Sequence, residues 1–181
     1  MNDREQLRAL LLERSIRLGD FVLASGRRSS YYIDGRRTTM SGKGQLLIGR
    51  VGLETIDASG WRPAAVGGLT LGADPVAYAI AHTAALEGRP LDAFTVRKEP
   101  KAHGTGRRIE GCFENGMSVV VVEDVVTTGE SALRAVEAIE AEGGEVLGVL
   151  AVVDRGEGGK ERLEEAGYTL VSMFTGAELL S

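Results

Sequence analysis

The chain has 181 residues, 43% hydrophobic and 26% charged, which predicts one globular domain spanning residues 1–181. Its formal net charge of −5 argues against general nucleic-acid binding, and no apolar run approaches the roughly 18 residues that a membrane helix needs. With one cysteine, Cys112, and a polar N-terminus without a secretory pattern, we expect a cytoplasmic protein with neither an intrachain disulfide nor a structural metal site.

The first third of the chain predicts two helices and a hairpin. Leucines at helical spacing predict a helix over residues 3–18, which Gly19 ends. Two short strand-like runs, 21–23 and 31–34, flank a Ser/Gly/Arg segment and predict a hairpin. Ser41 is a candidate N-cap for a helix that runs to about residue 58.

From residue 64 onward, predicted strands and helices alternate. The strands are expected at 64–67, 91–96, 118–122, 146–153 and 168–174, and the helices at 74–86, 131–142 and 160–165. Asp74 and Pro75 are a typical N-cap and first residue for the helix at 74–86. This alternation predicts an α/β fold with a mostly parallel, doubly wound sheet, whose binding sites lie at the carboxyl ends of the strands.

The segment Val119–Ser131, VVVVEDVVTTGES, places an acidic pair and a small polar loop between a buried strand and a helix. Backbone N–H groups, hydroxyls and a helix N-terminus suit a phosphate monoester. The carboxylates of Glu123 and Asp124 would repel a phosphate but can accept hydrogen bonds from sugar hydroxyls. The Thr-Thr-Gly tripeptide alone favours an ordinary strand-to-helix turn with an N-cap, but with the acidic pair it indicates a site for a phosphorylated sugar.

This segment resembles the phosphoribosyl pyrophosphate (PRPP) signature of type I phosphoribosyltransferases. The resemblance implies that family's fold, with the acidic pair on the ribose 2′- and 3′-hydroxyls, the loop on the 5′-phosphate and Asp124 among the catalytic residues. The PRPP-binding residues that it implies are Glu123, Asp124, Val125, Val126, Thr127, Thr128, Gly129, Glu130 and Ser131.

A basic segment at 97–108, RKEPKAHGTGRR, concentrates positive charge in an acidic chain. It could be a solvated surface loop, or a cationic loop that closes over a polyanion and stabilises a leaving pyrophosphate. RKEPKAHG is similar to the catalytic loop of orotate phosphoribosyltransferases, which implies a homodimer whose loops close over the partner's site. The match assigns pyrophosphate-contacting, catalytic positions to Arg97, Lys98, Lys101 and His103, with the last two nearest the leaving group.

Arg155 follows the predicted strand at 146–153, so we expect it at the same sheet edge as the PRPP signature. A lone arginine after a strand is commonly a surface residue, but its guanidinium also suits a carboxylate such as that of orotate. VVDRGEGG resembles the orotate-contacting segment of the orotate enzymes, which implies that Arg155 and Thr127 bind orotate. The segment 21–37, FVLASGRRSSYYIDGRR, resembles the hood of these enzymes, the region that covers the base. The resemblance implies that residues 1–40 form much of this hood.

Two positions depart from the family pattern. Some members carry Lys where Ala24 stands and another Lys within the segment matched by Gly67–Ala73, so two pyrophosphate contacts could be missing. Mg²⁺ is the expected cofactor, held mainly by PRPP, and no side chain is assigned to it. Two alternatives remain: a purine phosphoribosyltransferase, which needs no carboxylate partner at Arg155, and a PRPP-sensing regulator, which should lack the basic segment.

Overall fold

The computed structural model describes residues 1–22, 26, 28–99 and 108–181. Its helices are α1 (Asp3–Arg14), α2 (Arg36–Thr39), α3 (Gly42–Ala58), α4 (Ala73–Leu86), α5 (Glu130–Ala141), α6 (Gly159–Glu165) and α7 (Gly176–Leu180). Its strands are β1 (Ile16–Val22), β2 (Arg28–Ile33), β3 (Ala65–Leu69), β4 (Asp92–Val96), β5 (Ile109–Gly111), β6 (Ser118–Val126), β7 (Glu145–Asp154) and β8 (Leu170–Thr175).

The centre of the described structure is a six-stranded sheet in the order β5-β4-β3-β6-β7-β8. Strands β4, β3, β6, β7 and β8 are parallel, and β5 runs antiparallel at the edge. Apolar residues of α1, α3 and α4 cover one face, and those of α5 and α6 cover the other. The predicted mostly parallel, doubly wound α/β fold is therefore confirmed.

The valines of β6 explain why this strand lies at the middle of the sheet. Val120 and Val122 are fully buried on the face covered by α3 and α4, while Val119 and Val121 are fully buried on the opposite face. A continuous run of β-branched apolar residues is typical of a parallel strand that is covered on both sides. Each valine side chain removed from water contributes roughly 1.5–3 kcal/mol, which anchors the segment that follows.

The sheet order creates a crevice at the carboxyl ends of β3 and β6. These two strands are neighbours, but α4 after β3 and α5 after β6 pack against opposite faces of the sheet. The connecting segments 70–72 and 127–129 therefore diverge as they leave the sheet. In open α/β sheets, such a divergence is where ligands bind.

The N-terminal hairpin is present, but the predicted helix over 3–18 is too long. Helix α1 ends at Arg14, and the chain then forms β1, which pairs antiparallel with β2. The Ser15 hydroxyl hydrogen-bonds the Thr38 hydroxyl at 2.7 Å, and the Ser15 carbonyl accepts from the Asp34 N–H at 2.9 Å. These contacts from residues distant in sequence end the helix, so its local leucine pattern does not reveal its end.

The start of α4 also differs from the prediction. Gly72 occupies the N-cap position, and Asp74 lies in the first turn. Its carboxylate accepts hydrogen bonds from the hydroxyls of Thr70 at 2.7 Å and Thr95 at 2.8 Å, so it joins the loop after β3 to β4. The Ser41 N-cap is confirmed, since its hydroxyl accepts from the Gly44 N–H at 3.1 Å.

The short elements α2, β5 and α7, each of three to five residues, were not predicted because they show no complete hydrophobic period. Within the described part of the chain, no helix has both the length and the apolar character needed to cross a membrane. The single domain over 1–181, with much of its hood in residues 1–40, stays a prediction.

Candidate active site

The N-terminus of α5 forms a cavity of about 290 Å³, which we call the loop cavity. Gly129 is the N-cap, with φ of 75°, and offers no side chain to cap the first-turn N–H groups of the helix. A left-handed conformation of this kind favours glycine. The loop cavity is lined by Glu123, Val125, Val126, Thr127, Thr128, Gly129, Glu130, Ser131, Ala132 and Arg134. Uncapped N–H groups at a helix N-terminus, with two threonine hydroxyls nearby, suit an anion such as phosphate.

A second cavity of about 280 Å³, the acidic cavity, lies in the crevice between the ends of β3 and β6. It is lined by Tyr32, Ile33, Asp34, Gly35, Arg36, Leu69, Thr70, Leu71, Gly72, Lys98, Glu123, Asp124, Val125 and Ser131. Glu123, Val125 and Ser131 line both cavities and form the shared wall. One elongated ligand can therefore place a phosphate in the loop cavity and extend past Glu123 into the acidic cavity.

The acidic pair sits at the end of β6, where the two carboxyl groups have different surroundings. Glu123 is only 6% exposed, and its Oε1 is buried without a hydrogen-bond partner among the described residues. Burial, and to a smaller extent the charge of Asp124, raises the pKa of Glu123 to about 8. An unpartnered buried carboxyl oxygen is costly, so a ligand hydroxyl placed here would satisfy it.

Asp124 is half-buried, and burial raises the pKa of its carboxyl group as well. The hydrogen bond from the Val125 N–H to Oδ1, at 2.9 Å, and the charge of Arg36 act in the opposite direction. A Cβ atom added to Gly72 would lie 2.6 Å from Asp124 Oδ1, so only glycine lets the loop after β3 approach this closely. The cis peptide Thr70–Leu71 belongs to the same loop.

Glu123→Gln is expected to remove a pH dependence of stability. The folded-state pKa of Glu123, about 8, lies above its ordinary value of 4.5. The stabilisation from binding this proton is complete below about pH 4.5 and is lost as the pH rises through about 8, in total a few kcal/mol. Relative to the variant, the wild-type chain should lose stability across that window. Urea unfolding of both proteins at several pH values gives their free energies of unfolding. If the two free energies change with pH in the same way, Glu123 is not buried in its protonated form.

Arg97 and Lys98, two described residues of the basic segment, lie in different surroundings. Lys98 lines the acidic cavity, and its contact with pyrophosphate stays a prediction. Arg97 lines neither cavity; its Nη1 lies 3.7 Å from Glu110 Oε1, and its N–H donates to the Arg108 carbonyl at 2.8 Å. Lys101 and His103 lie outside the described residues, as does Ala24, so their expected contributions stay predictions.

Arg155 lies where the sheet prediction put it. Its N–H donates to the Val126 carbonyl at 2.9 Å, which places it beside the end of β6. Its side chain is buried against the hairpin: Nη2 donates to Ser29 Oγ at 3.1 Å and to the Tyr31 carbonyl at 3.0 Å, and Cζ lies 4.8 Å from the Tyr31 ring centre. Nε lies 2.8 Å from Glu157 Oε1 but does not point its hydrogen at that oxygen. Arg155 lines neither cavity, and its contact with a base stays a prediction.

Three residues that line the cavities, Asp34, Arg36 and Arg134, were not predicted as site residues. Asp34 and Arg36 reach the acidic cavity because the hairpin folds over the sheet edge, which no local pattern signals. Arg134 follows Ser131 by three residues, a spacing that puts both on one face of α5 and could have revealed it. Its Nη2 donates to the Lys98 carbonyl at 3.1 Å, so it joins the loop cavity to the basic segment.

Comparison with known proteins gives consistent similarities. The profile of the family described as phosphoribosyl transferase domain matches residues 54–171. The orotate phosphoribosyltransferase of Aquifex aeolicus is 49% identical over 183 residues, 99% of each chain. The crystal structure of the Mycobacterium tuberculosis orotate phosphoribosyltransferase in complex with PRPP superposes with a TM-score of 0.84 at 44% identity, covering 99% of this chain and 100% of that one. The adenine phosphoribosyltransferase of Leishmania donovani, 18% identical with a TM-score of 0.66 over 98% and 83% of the two chains, shares the fold.

Proposed function

The chain belongs to the phosphoribosyltransferase family and, within it, to the orotate phosphoribosyltransferases, and from this premise we propose how its two cavities bind PRPP. The enzyme transfers the 5-phosphoribosyl group of PRPP to orotate, giving orotidine 5′-monophosphate and pyrophosphate for pyrimidine biosynthesis. The observation that carries the assignment of the site is the shared wall at Glu123, which connects an uncapped helix N-terminus to an acidic cavity.

In our proposal, the 5′-phosphate lies in the loop cavity on the N–H groups and hydroxyls of residues 127–131. The ribose crosses the shared wall, where its 2′- and 3′-hydroxyls hydrogen-bond the carboxyl groups of Glu123 and Asp124. The pyrophosphate then extends into the acidic cavity toward the loop at 70–72 and Lys98. This orientation supports the assignment because each part of PRPP meets groups of complementary chemistry.

The chemical step exchanges one bond at C1 of the ribose for another. The C1–O bond to pyrophosphate breaks, with its electron pair leaving on the pyrophosphate oxygen. Orotate N1 supplies the pair for the new C1–N bond, and the proton that N1 carried is released to solvent. Positive charge develops on the ribose between these events. The carboxylate of Asp124 stabilises that charge, while cations of the basic segment stabilise the negative charge of the leaving group.

Mg²⁺ is the proposed cofactor, and PRPP itself supplies most of its ligands. Among the described residues, no group of three or more His, Cys, Asp or Glu side chains could hold a metal ion alone. The acidic cavity fits a Mg²⁺–PRPP complex, because Mg²⁺ commonly binds substrate phosphates with few protein carboxylates. When bound, the ion neutralises charge on the pyrophosphate.

For orotate, we propose recognition by Arg155 and Thr127, with the hairpin covering the ring. The hydrogen bonds of Arg155 to Ser29 and to the Tyr31 carbonyl both use Nη2, so its other guanidinium nitrogens are the ones that a carboxylate of orotate would take. Tyr32 is 40% exposed and lines the acidic cavity beside this region. A purine has no carboxylate to pair with a buried arginine, which favours orotate over a purine as acceptor.

The assay that tests this function mixes the purified chain with Mg²⁺, PRPP and one base at a time. We expect the absorbance of orotate to fall with time, and the spectra of adenine and hypoxanthine to stay unchanged. Release of pyrophosphate, followed in parallel, should match the orotate consumed. Turnover of a purine without turnover of orotate would contradict the substrate and leave the phosphoribosyltransferase fold unaffected.

We further propose that the enzyme is a cytoplasmic homodimer in which the basic segment serves the partner's site. The placement of Arg97 supports this, because its guanidinium lies beside Glu110 and away from both cavities of its own chain. A mostly apolar cavity of about 360 Å³ between α3 and α4, beside exposed Leu46 and Leu86, offers surface for a second copy.

A further inference from the structure

Arg36 lines the acidic cavity, and it lies in the segment that resembles the hood, where the resemblance gave this residue no role of its own. It is the first residue of α2, directly after the hairpin, and its side chain is half exposed, at 51%. It forms an ion pair with Asp34, whose Oδ1 lies 3.3 Å from Arg36 Nε. Its charge lowers the pKa of Asp124 against the effect of burial. The guanidinium therefore lies within electrostatic reach of a carboxyl group that we assign to the ribose.

In the proposed position of PRPP, Arg36 lies on the side of the pyrophosphate group. With the 5′-phosphate in the loop cavity, the C1 side of the ribose and its pyrophosphate fall on the other side of the shared wall, in the acidic cavity. Among the described residues that line this cavity, only Arg36 and Lys98 carry positive charge. Leu69, Thr70, Leu71 and Gly72 also line the cavity, and the segment Gly67–Ala73 to which they belong has no Lys or Arg. A pyrophosphate in this cavity would therefore face Arg36 as one of few available cations.

We propose that Arg36 binds the pyrophosphate group of PRPP and sets the affinity of the enzyme for that end of the substrate, an inference that rests on the proposed function. A guanidinium can pair with two phosphate oxygens at once, which a lysine cannot. Asp34 holds Arg36 beside the cavity in the absence of PRPP, and exchanging an exposed ion pair of this kind for pyrophosphate costs little. The hairpin thus contributes to binding of the leaving group as well as covering the base.

The test compares Arg36→Gln and Arg36→Lys with Arg37→Gln, a matched control that removes the same charge from an exposed neighbour outside the cavity lining. Calorimetry measures binding of pyrophosphate with Mg²⁺ and, separately, of ribose 5-phosphate; steady-state kinetics give KM for PRPP and for orotate. We expect Arg36→Gln to weaken pyrophosphate binding and raise KM for PRPP by about tenfold or more, with ribose 5-phosphate binding and KM for orotate unchanged. Arg36→Lys should recover part of the loss, and Arg37→Gln should match the wild type.

Two results would overturn the inference. Equal losses for ribose 5-phosphate and pyrophosphate would mean that Arg36 acts through Asp124 on the ribose. Pyrophosphate binding by Arg36→Gln as tight as that of Arg37→Gln would mean that Arg36 does not touch the leaving group. Failure of the wild-type chain to turn over orotate contradicts the proposed function instead, and the binding measurements with pyrophosphate decide the role of Arg36 separately.

Discussion

Lys101→Ala is expected to lower kcat by about 10²–10³, the usual cost of removing one preorganised group that stabilises charge in a transition state. The basic segment resembles the catalytic loop of the orotate enzymes, and Lys101 matches a position near the leaving pyrophosphate. Its ammonium group would meet charge that grows only as the C1–O bond breaks, so kcat should fall more than the affinity for PRPP. Steady-state rates of orotate consumption at saturating PRPP measure the effect.

Arg107→Ala is the matched control for Lys101→Ala. It removes the same charge from the same segment at a residue beyond the positions that match the catalytic loop. We expect its kcat to stay within about threefold of the wild-type value, within the context-dependence typical of such measurements. Equal effects of the two substitutions would indicate a general contribution of positive charge, and an unchanged kcat for Lys101→Ala would remove Lys101 from the chemical step.

Asp124→Asn is the second substitution with a large expected effect, a loss of about 10²-fold or more in kcat/KM for PRPP. The amide keeps the shape of the side chain but loses the negative charge at the crevice between β3 and β6. A hydrogen bond to a charged group contributes about 1.5–3 kcal/mol, and tenfold in rate corresponds to about 1.4 kcal/mol. In the proposed chemical step, the carboxylate also stabilises positive charge on the ribose as the leaving group departs.

Glu137→Gln provides a control for Asp124→Asn, because it removes one negative charge from the exposed surface of α5. Kinetics at varied PRPP and saturating orotate should show a large effect for Asp124→Asn and none for Glu137→Gln. Thermal unfolding of both variants checks that the fold is intact. A kcat/KM for Asp124→Asn within about twofold of wild type would show that the acidic pair does not act on the ribose.

The central sheet and the loop that leads into α5 were predictable because they depend on local patterns. Buried β-branched runs mark β6 and β7, and Thr127–Ser131 combines small residues with the start of a helix. Helix boundaries were less predictable where distant contacts fix them. Ser15 ends α1 by bonding Thr38, and Asp74 leaves the N-cap role to bond Thr70 and Thr95. Neither pairing leaves a mark in the surrounding sequence.

The order of the longer helices and strands of the sheet and the family to which the chain belongs could be read from the sequence, since both are recorded in contiguous residues. Three features became visible only in the folded chain: Glu123 is buried with a raised pKa, one wall joins the two cavities, and Arg36 lines the acidic cavity while Arg97 does not. Burial and electrostatic proximity depend on which segments meet in space. The approach of the hairpin to the carboxyl edge of the sheet joins residues far apart in the chain, such as Tyr31 and Arg155.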